Sequence, residues 1–298
     1  MVLAAGYGTR LRPLTEERPK ALVPVGDVAV IEHQIRWLRA QLGDIQILVN
    51  AHHRAADLLS YVGSLDPAVR VIVETEILGT AGGLQGALEY LDEGPLLVVN
   101  ADVISSPNYR ELLRDVVADS VVLGVVRKPA GQGPVGLNTE GRVVRLRSES
   151  TALEAFGGDY LGVAALGRQF LPRLPSRGCL IGDFIMPLLR EGHPIWTSPI
   201  EGEWFDVGTL EEYARANRAW LHNRALGSWV APKCHVPLGI QLEESILGTG
   251  TRISGSGLVQ RVIAWPFSQI KAPLRDAVVM SSGKIVPISV TGTCQLKR

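Results

Sequence analysis

The chain has little of what marks a secreted, membrane or nucleic-acid-binding protein. Its 298 residues include three cysteines, Cys179, Cys234 and Cys294, too widely spaced for a CxxC pair. Neither a disulfide framework nor a zinc site is expected from them. Charge of one sign is not in excess, with 30 Lys and Arg against 30 Asp and Glu, so nucleic acid is not an expected partner. Aromatic residues are 6% of the chain, and the six tryptophans are scattered rather than arranged as a stacking stripe. No apolar run reaches membrane-spanning length and no signal-peptide pattern is present, so a cytoplasmic protein without a membrane partner is expected. What is left, 46% hydrophobic and 20% charged residues, is an ordinary folded chain with room for one large domain and a small one.

The most informative stretch opens the chain. Leu3-Ala4-Ala5-Gly6-Tyr7-Gly8-Thr9-Arg10 runs from a short apolar strand into a tight glycine turn, and Arg10, Arg12, Arg18 and Lys20 fall within eleven positions. Glycines let backbone N–H groups approach phosphate oxygens, and cations neutralise the charge the amides leave. A dinucleotide fingerprint is excluded because Leu11 stands where its third glycine belongs, and no P-loop pattern fits. Local positive charge in a neutral chain suits a small polyanion such as a triphosphate.

Residues 1–125 alternate between two periodicities. Ile45–Val49, Val69–Val73, Leu96–Val99 and Val121–Val126 are short runs rich in β-branched residues. Helical spacing appears at Ile31, Ile35, Leu38 and Leu42, at Leu58, Leu59 and Val62, at Leu84, Leu88 and Leu91, and at Leu112, Leu113, Val116 and Val117. This alternation predicts an α/β fold, a Rossmann-like, mostly parallel sheet covered by helices. Residues 135–166 predict added strands over a pocket, and helical spacing returns at Phe184–Leu189 and Leu210–Leu221. Beyond about residue 225 a six-residue apolar period takes over, in Val230, Val236 and Leu242, then Leu247, Ile253 and Val259, and more weakly Ile270, Leu274 and Val278. That period predicts a short left-handed parallel β-helix of about three coils. The expected domains are therefore 1–225 and 226–298.

Two aspartates stand where a divalent metal could be held. Asp102 follows the apolar run Leu96–Val99, at the carboxyl end of a strand, where open α/β sheets bind ligands. Asp206 lies in Glu203-Trp204-Phe205-Asp206-Val207-Gly208-Thr209. A metal of the Mg²⁺ type needs one or two such carboxylates beside substrate phosphates.

The opening string, with Pro19-Lys20 after it, closely resembles the first motif of the nucleoside-diphosphate-sugar pyrophosphorylases, the sugar-1-phosphate nucleotidyltransferases. The pattern is most similar to the mannose-1-phosphate guanylyltransferases with a C-terminal β-helix. The resemblance implies transfer of a nucleotidyl group from an NTP to a sugar 1-phosphate, with Mg²⁺ on Asp102 and Asp206. It implies nucleotide-binding roles for Leu3, Ala4, Ala5, Gly6, Gly8 and Thr9. Arg10 would meet the departing β and γ phosphates, and Lys20 would bridge the attacking and α phosphates. Gly79-Thr80-Ala81-Gly82 resembles the family stretch that receives base and ribose.

On the sugar side, Asp159-Tyr160-Leu161-Gly162 resembles a strand in which relatives carry asparagine at the position of Tyr160. Many relatives have Glu-Lys-Pro after Gly-Arg-Val, and here Glu149 replaces that phosphate-binding lysine. Either Arg147 or Lys20 substitutes, or the acceptor phosphate sits differently; Tyr160 and Gly162 are the other residues expected on the sugar side. GTP with mannose 1-phosphate is the favoured pair, and UTP or dTTP with another hexose or aminosugar 1-phosphate the alternative. A catalytically silent subunit that senses a nucleotide sugar is the rival from another class. His52-His53 reads as a loop rather than a metal site, and His235 as part of the coil rather than an acyltransferase residue. The coil's exposed edges suggest a homo-oligomer.

Overall fold

The structure, a computed structural model, describes residues 1–114 and 116–289; Cys294 lies outside the described residues. Two compact units are present. The first comprises Met1–Gly6 and Gln34–Trp204, the second Tyr7–His33 and Phe205 onward.

The first unit is built on a ten-stranded sheet. Its parallel heart runs in the order Leu96–Asn100, Val2–Leu3, Leu48–Ala51, Arg70–Val73, with Val2 beside both Val49 and Val99. Leu96–Val99 and Leu48–Ala51 are buried throughout, as expected where helices cover both faces of a parallel sheet. The strand expected over Ile45–Val49 is displaced to Leu48–Ala51. On the other side the long strand Phe156–Leu166 pairs antiparallel with Leu96–Asn100 and Val121–Pro129, and Ile195–Pro199 runs parallel to the latter. The strands Val135–Leu137, Val143–Leu146 and Glu149–Ser150 extend this side antiparallel, as expected for residues 135–166.

Helices Val30–Leu42 and Ala55–Leu65 carry their predicted apolar positions. The pattern Leu84, Leu88, Leu91 is split instead: a helix spans Gly79–Gln85 and a separate 3₁₀ turn Leu88–Tyr90. Helix Tyr109–Arg114 ends before Val116 and Val117. Buried side chains from these elements, among them Leu84, Val98, Leu123, Leu146 and Ala164, form one continuous core.

In the second unit, Pro24–Val25 and Val28–Ala29 make a hairpin turned at Gly26, whose φ is 68°. A side chain at Gly26 would collide with the Trp220 ring, and its N–H donates to the buried Asn217 Oδ1 at 2.9 Å. Asn217 and Trp220 belong to helix Leu210–His222, whose first turn is capped by the Thr209 hydroxyl accepting from Glu212 N.

The strands beyond residue 228 fit a β-helix-like coil of parallel rungs. Trp229 lies beside Ile246, Ile240 beside Gly257, and Arg252 beside Gln269, each a step of 17 residues. Val259 lies beside Leu274, a step of 15. Two corners recur as left-handed backbone: Lys233, Gly250 and Phe267 form one, and Glu244, Arg261 and Asp276 the other. The two missing residues come from the third corner, where Ala272-Pro273 replaces the longer Gly255–Leu258. Leu247, Ile253, Val259, Ile270 and Val279 fill the interior, with Val236, Leu242 and Leu274 against them. The shortened step brings Val279 rather than Val278 into that interior. Val230 is exposed because it stands in the first rung, with Leu247 as its neighbour on one side. The last strand, Ile285–Pro287, turns back antiparallel on Leu274–Val279.

Candidate active site

The second unit assembles the cationic part of the opening motif. Gly8 adopts φ 62° and precedes the 3₁₀ turn Thr9–Leu11. Its carbonyl accepts from Leu11 N at 3.0 Å and from the Thr15 hydroxyl at 2.9 Å. A Cβ at Gly8 would lie 2.8 Å from Thr15 Cγ2 and 3.0 Å from Lys20 Cβ, so this glycine is required by both backbone and space. Lys20 Nζ is 3.6 Å from Asp206 Oδ1, and Arg10 Nη2 is 3.8 Å from Asp206 Oδ2. The two cations differ in setting: the Lys20 side chain is 13% exposed and that of Arg10 68%. Gly208, two residues beyond Asp206, has room for no side chain without pressing on Arg10 and the Asp206 carboxylate. Gly8, Thr9, Arg10, Lys20 and Asp206 therefore share one neighbourhood.

The first unit joins Leu3–Gly6 to the Gly79–Gly82 helix start through two buried polar residues that the motif reading missed. Asn50 Oδ1 accepts from Ala4 N at 2.7 Å, and Asn50 Nδ2 donates to Glu74 Oε1 at 2.6 Å. Glu74 Oε2 accepts from Leu78 N at 3.4 Å. A Cβ on Gly83 would lie 2.6 Å from Asn50 Nδ2, so the helix is drawn tightly over the pair. The available signal was an asparagine ending a buried apolar strand and a glutamate just ahead of a glycine-rich helix start.

Gly79 has φ 78° and is covered by the segment Ser176–Leu180. Ala81 N donates to Gly178 O at 2.9 Å, and Leu180 N to the Thr80 hydroxyl at 2.7 Å. The Thr80 side chain is thus engaged within the protein. Arg177 pairs with Glu76 at 2.7 Å across the same segment.

Arg147, with φ 56°, donates through Nη2 to Cys179 Sγ at 3.6 Å. This places the guanidinium over the loop that covers Gly79. Gly162, with φ 68°, sits at an irregularity in the long strand, where a Cβ would press on the Asn100 amide. Desolvation pushes the Tyr160 hydroxyl well above the ordinary tyrosine pKa, with the Cys179 thiol adding to the shift. Glu149 is not a phosphate ligand in character: both carboxylate oxygens accept from Arg190, and that bond holds its pKa below the usual carboxylate range.

Asp102 leaves the sheet just past Asn100, which lies beside Leu3 where the glycine turn begins. It belongs to the first unit and Asp206 to the second. Among the described residues no group of three or more His, Cys, Asp or Glu is gathered as for a metal. Hard carboxylate oxygens in small number suit Mg²⁺, which keeps phosphate and water in most of its positions. The Asp206 side chain is 42% exposed, and its cationic neighbours stand beyond hydrogen-bond length, so its oxygens are approachable by a cation. His52 Nδ1 is tied to Glu74 O at 2.9 Å, and His235 forms an isolated bridge with Arg252.

The chain is similar to a set of known proteins. The Nucleotidyl transferase family profile matches residues 1–223. The mannose-1-phosphate guanyltransferase of Saccharomyces cerevisiae is 29% identical, over 87% of this chain and 70% of that protein. The enzyme of the same name from Candida albicans is 31% identical, over 74% of this chain and 64% of its own length. A protein of Oryza sativa subsp. japonica named "Probable mannose-1-phosphate guanylyltransferase 1" is 26% identical, covering 85% and 74%. Among solved structures, HddC from Yersinia pseudotuberculosis, crystallised with GMP-PN, shares the fold with a TM-score of 0.62 and 20% identity, covering 74% of this chain and 97% of that one. No helix among the described residues is long and apolar enough to cross a membrane. With three quarters of its length matched by the family profile, the chain belongs to the nucleotidyl transferase family.

Proposed function

We propose that the protein transfers a guanylyl group from GTP to mannose 1-phosphate, releasing pyrophosphate. A phosphate oxygen of the sugar phosphate attacks the α-phosphorus, a new P–O bond forms, and the bond to the β-phosphate oxygen breaks. The observation that carries this reading is the meeting of Lys20 and Arg10 at Asp206 beside the Gly8 turn. Relatives named for mannose-1-phosphate guanylyl transfer support the substrate pair.

In this reading the amides around Leu3–Gly6, Gly8 and Thr9 bind the triphosphate, and Gly79–Gly82 receives base and ribose. Arg10 steadies the departing β and γ phosphates. Lys20, held in a more enclosed setting, aligns the attacking and α phosphates. Asp102 and Asp206 would hold Mg²⁺, which when bound neutralises phosphate charge and polarises the α-phosphoryl group. Arg147, with Tyr160 and Gly162, would meet the sugar phosphate, since the Glu149 carboxylate is taken up by Arg190. Residues 1–225 would form the catalytic domain and 226–298 the coil domain, in a cytoplasmic homo-oligomer. Light scattering tests the last point, and a monomer would overturn it.

The deciding experiment is pyrophosphate release with GTP, UTP and dTTP against a panel of sugar 1-phosphates, with and without Mg²⁺. Release that is fastest with GTP and mannose 1-phosphate, and abolished by chelation, is expected. Preference for another pair would keep the reaction and change the substrate. No release with any pair, together with tight binding of a nucleotide sugar, would replace the enzyme reading by a sensing subunit.

A further inference from the structure

The opening motif supplies four cations, and the structure turns one of them, Arg18, onto the coil. The Arg18 guanidinium carbon lies 5.0 Å from the centroid of the Trp265 ring, and Arg18 Nη2 donates to Ser281 Oγ at 2.8 Å. Trp265 is fully buried in the coil and donates from Nε1 to the Tyr213 hydroxyl at 2.9 Å. Glu17, the preceding residue, receives two successive backbone donors: Ser281 N at 3.0 Å and Ser282 N at 3.3 Å. Glu16 accepts from Lys284 Nζ at 3.3 Å. Three consecutive residues thus bond to one turn, the reversal between Leu274–Val279 and Ile285–Pro287 that ends the coil.

That anchorage lies immediately before Lys20. The short helix Leu14–Glu17 leads through Arg18 and Pro19 to the turn Lys20–Leu22, and Lys20 Nζ ends 3.6 Å from Asp206. On its other flank Lys20 is packed against Gly8. A carboxylate accepting from two amides forms charge-assisted bonds stronger than neutral ones. Glu17 therefore ties the loop to two successive amides of the turn.

We propose that the Ser281–Ser282 turn of the coil is the seat of the phosphate loop, and that Glu17 is a positioning residue that sets where Lys20 stands. The coil then serves the chemistry through the loop that it holds. The inference rests on the role of Lys20 proposed above. Displacement of an aligned group by about 1 Å costs up to about a hundredfold in rate, so loss of this tie is read in turnover rather than in affinity.

The test compares the full-length wild type with E17A, E17Q and K284A. E17A is expected to lower kcat for pyrophosphate release at least about tenfold, with KM for both substrates within about threefold. E17Q keeps an acceptor oxygen for one of the two amides and is expected to recover part of that loss. Lys284 meets Glu16 through an exposed pair, so K284A is expected to keep wild-type kcat. An E17A enzyme with unchanged kcat, or changed only in KM, would overturn the proposal. So would a K284A loss as large as that of E17A, which would point to general loosening of the hairpin. Hydrogen exchange at Leu22 and Val23, whose amides donate to Pro19 O and Lys20 O, gives a readout without substrate. It is expected to be faster in E17A. Unchanged exchange would overturn the seat, whereas a wild type inactive with every substrate pair would count against the proposed reaction alone.

Discussion

Asn50 holds Glu74 with one end of its amide and Ala4 with the other, at 2.6 Å and 2.7 Å. The pair is buried, Asn50 at 3% and Glu74 at 8% exposure, so neither can exchange its partner for bulk water. Asn50→Leu keeps the volume but leaves the Ala4 N–H and a buried carboxylate each short of a partner. We expect a loss of about 3 kcal/mol in urea unfolding. Glu74→Gln retains an acceptor oxygen for Asn50 and should cost about 1 kcal/mol. Equal losses for the two variants would show that the buried charge is unimportant.

Gly79→Ala tests the helix start that Ser176–Leu180 covers. The residue has φ 78°, and a methyl group there would run into the Gly178 carbonyl. Left-handed backbone alone costs about 1–2 kcal/mol for an alanine, and the displaced carbonyl adds to it. A Tm lowered by several degrees is the expected outcome in thermal unfolding, with Gly43→Ala, which shares the left-handed backbone (φ 71°) but meets nothing within 4 Å, as the comparison.

These two cases show why some of the site could be read in the sequence and some could not. Gly8, Arg10 and Lys20 lie within a short span, and their chemistry is local. The β-branched runs likewise announce strands one at a time. Asn50 and Glu74 acquire meaning only when the sheet sets Leu48–Ala51 beside Val2–Leu3 and Arg70–Val73. The grouping of Tyr7–His33 with residues from Phe205 onward is equally hidden, because it rests on Gly26 meeting Asn217 and Trp220 across about 190 residues. The coil was legible because its interior positions recur, but the step of 17 rather than three sixes was not. Corners, unlike interior faces, leave no apolar signature.

His33 gives a pH dependence. Burial lowers its pKa below the ordinary histidine value, against the opposing influence of its bond to Val25 O at 2.9 Å and of Asp27 and Glu32, with Arg224 adding to the lowering. The unfolded chain therefore takes up the proton first, near pH 6.5. Stability should be full above that pH and fall as the pH drops from there toward the folded pKa. Urea midpoints measured between pH 5 and 8 should show this decline in the wild type and a flatter profile in His33→Gln.

Asp276 combines two demands, a bidentate bond with Arg261 at 2.5 and 2.9 Å and a left-handed corner with φ 49°. Asparagine meets the second demand and not the charge, whereas alanine meets neither. Asp276→Asn is expected to lose about 1 kcal/mol and Asp276→Ala about 1 kcal/mol more. Chemical denaturation of the two variants decides the order, and alanine no worse than asparagine would remove the corner from the account.

The unequal steps of the coil restrict how this part of the chain can change in length. The Lys233–Gly250–Phe267 corner stays in register through both turns, and the shortening falls at Ala272-Pro273, where the preceding turn has Gly255–Leu258. An extra residue between Glu244 and Ile253 would rotate Leu247 or Thr251 out of the interior, one pleat at a time. The same residue added near Gly255 would lengthen a bend and leave every rung where it is. Insertions, deletions and grafted peptides are therefore accommodated along a single ridge of the coil.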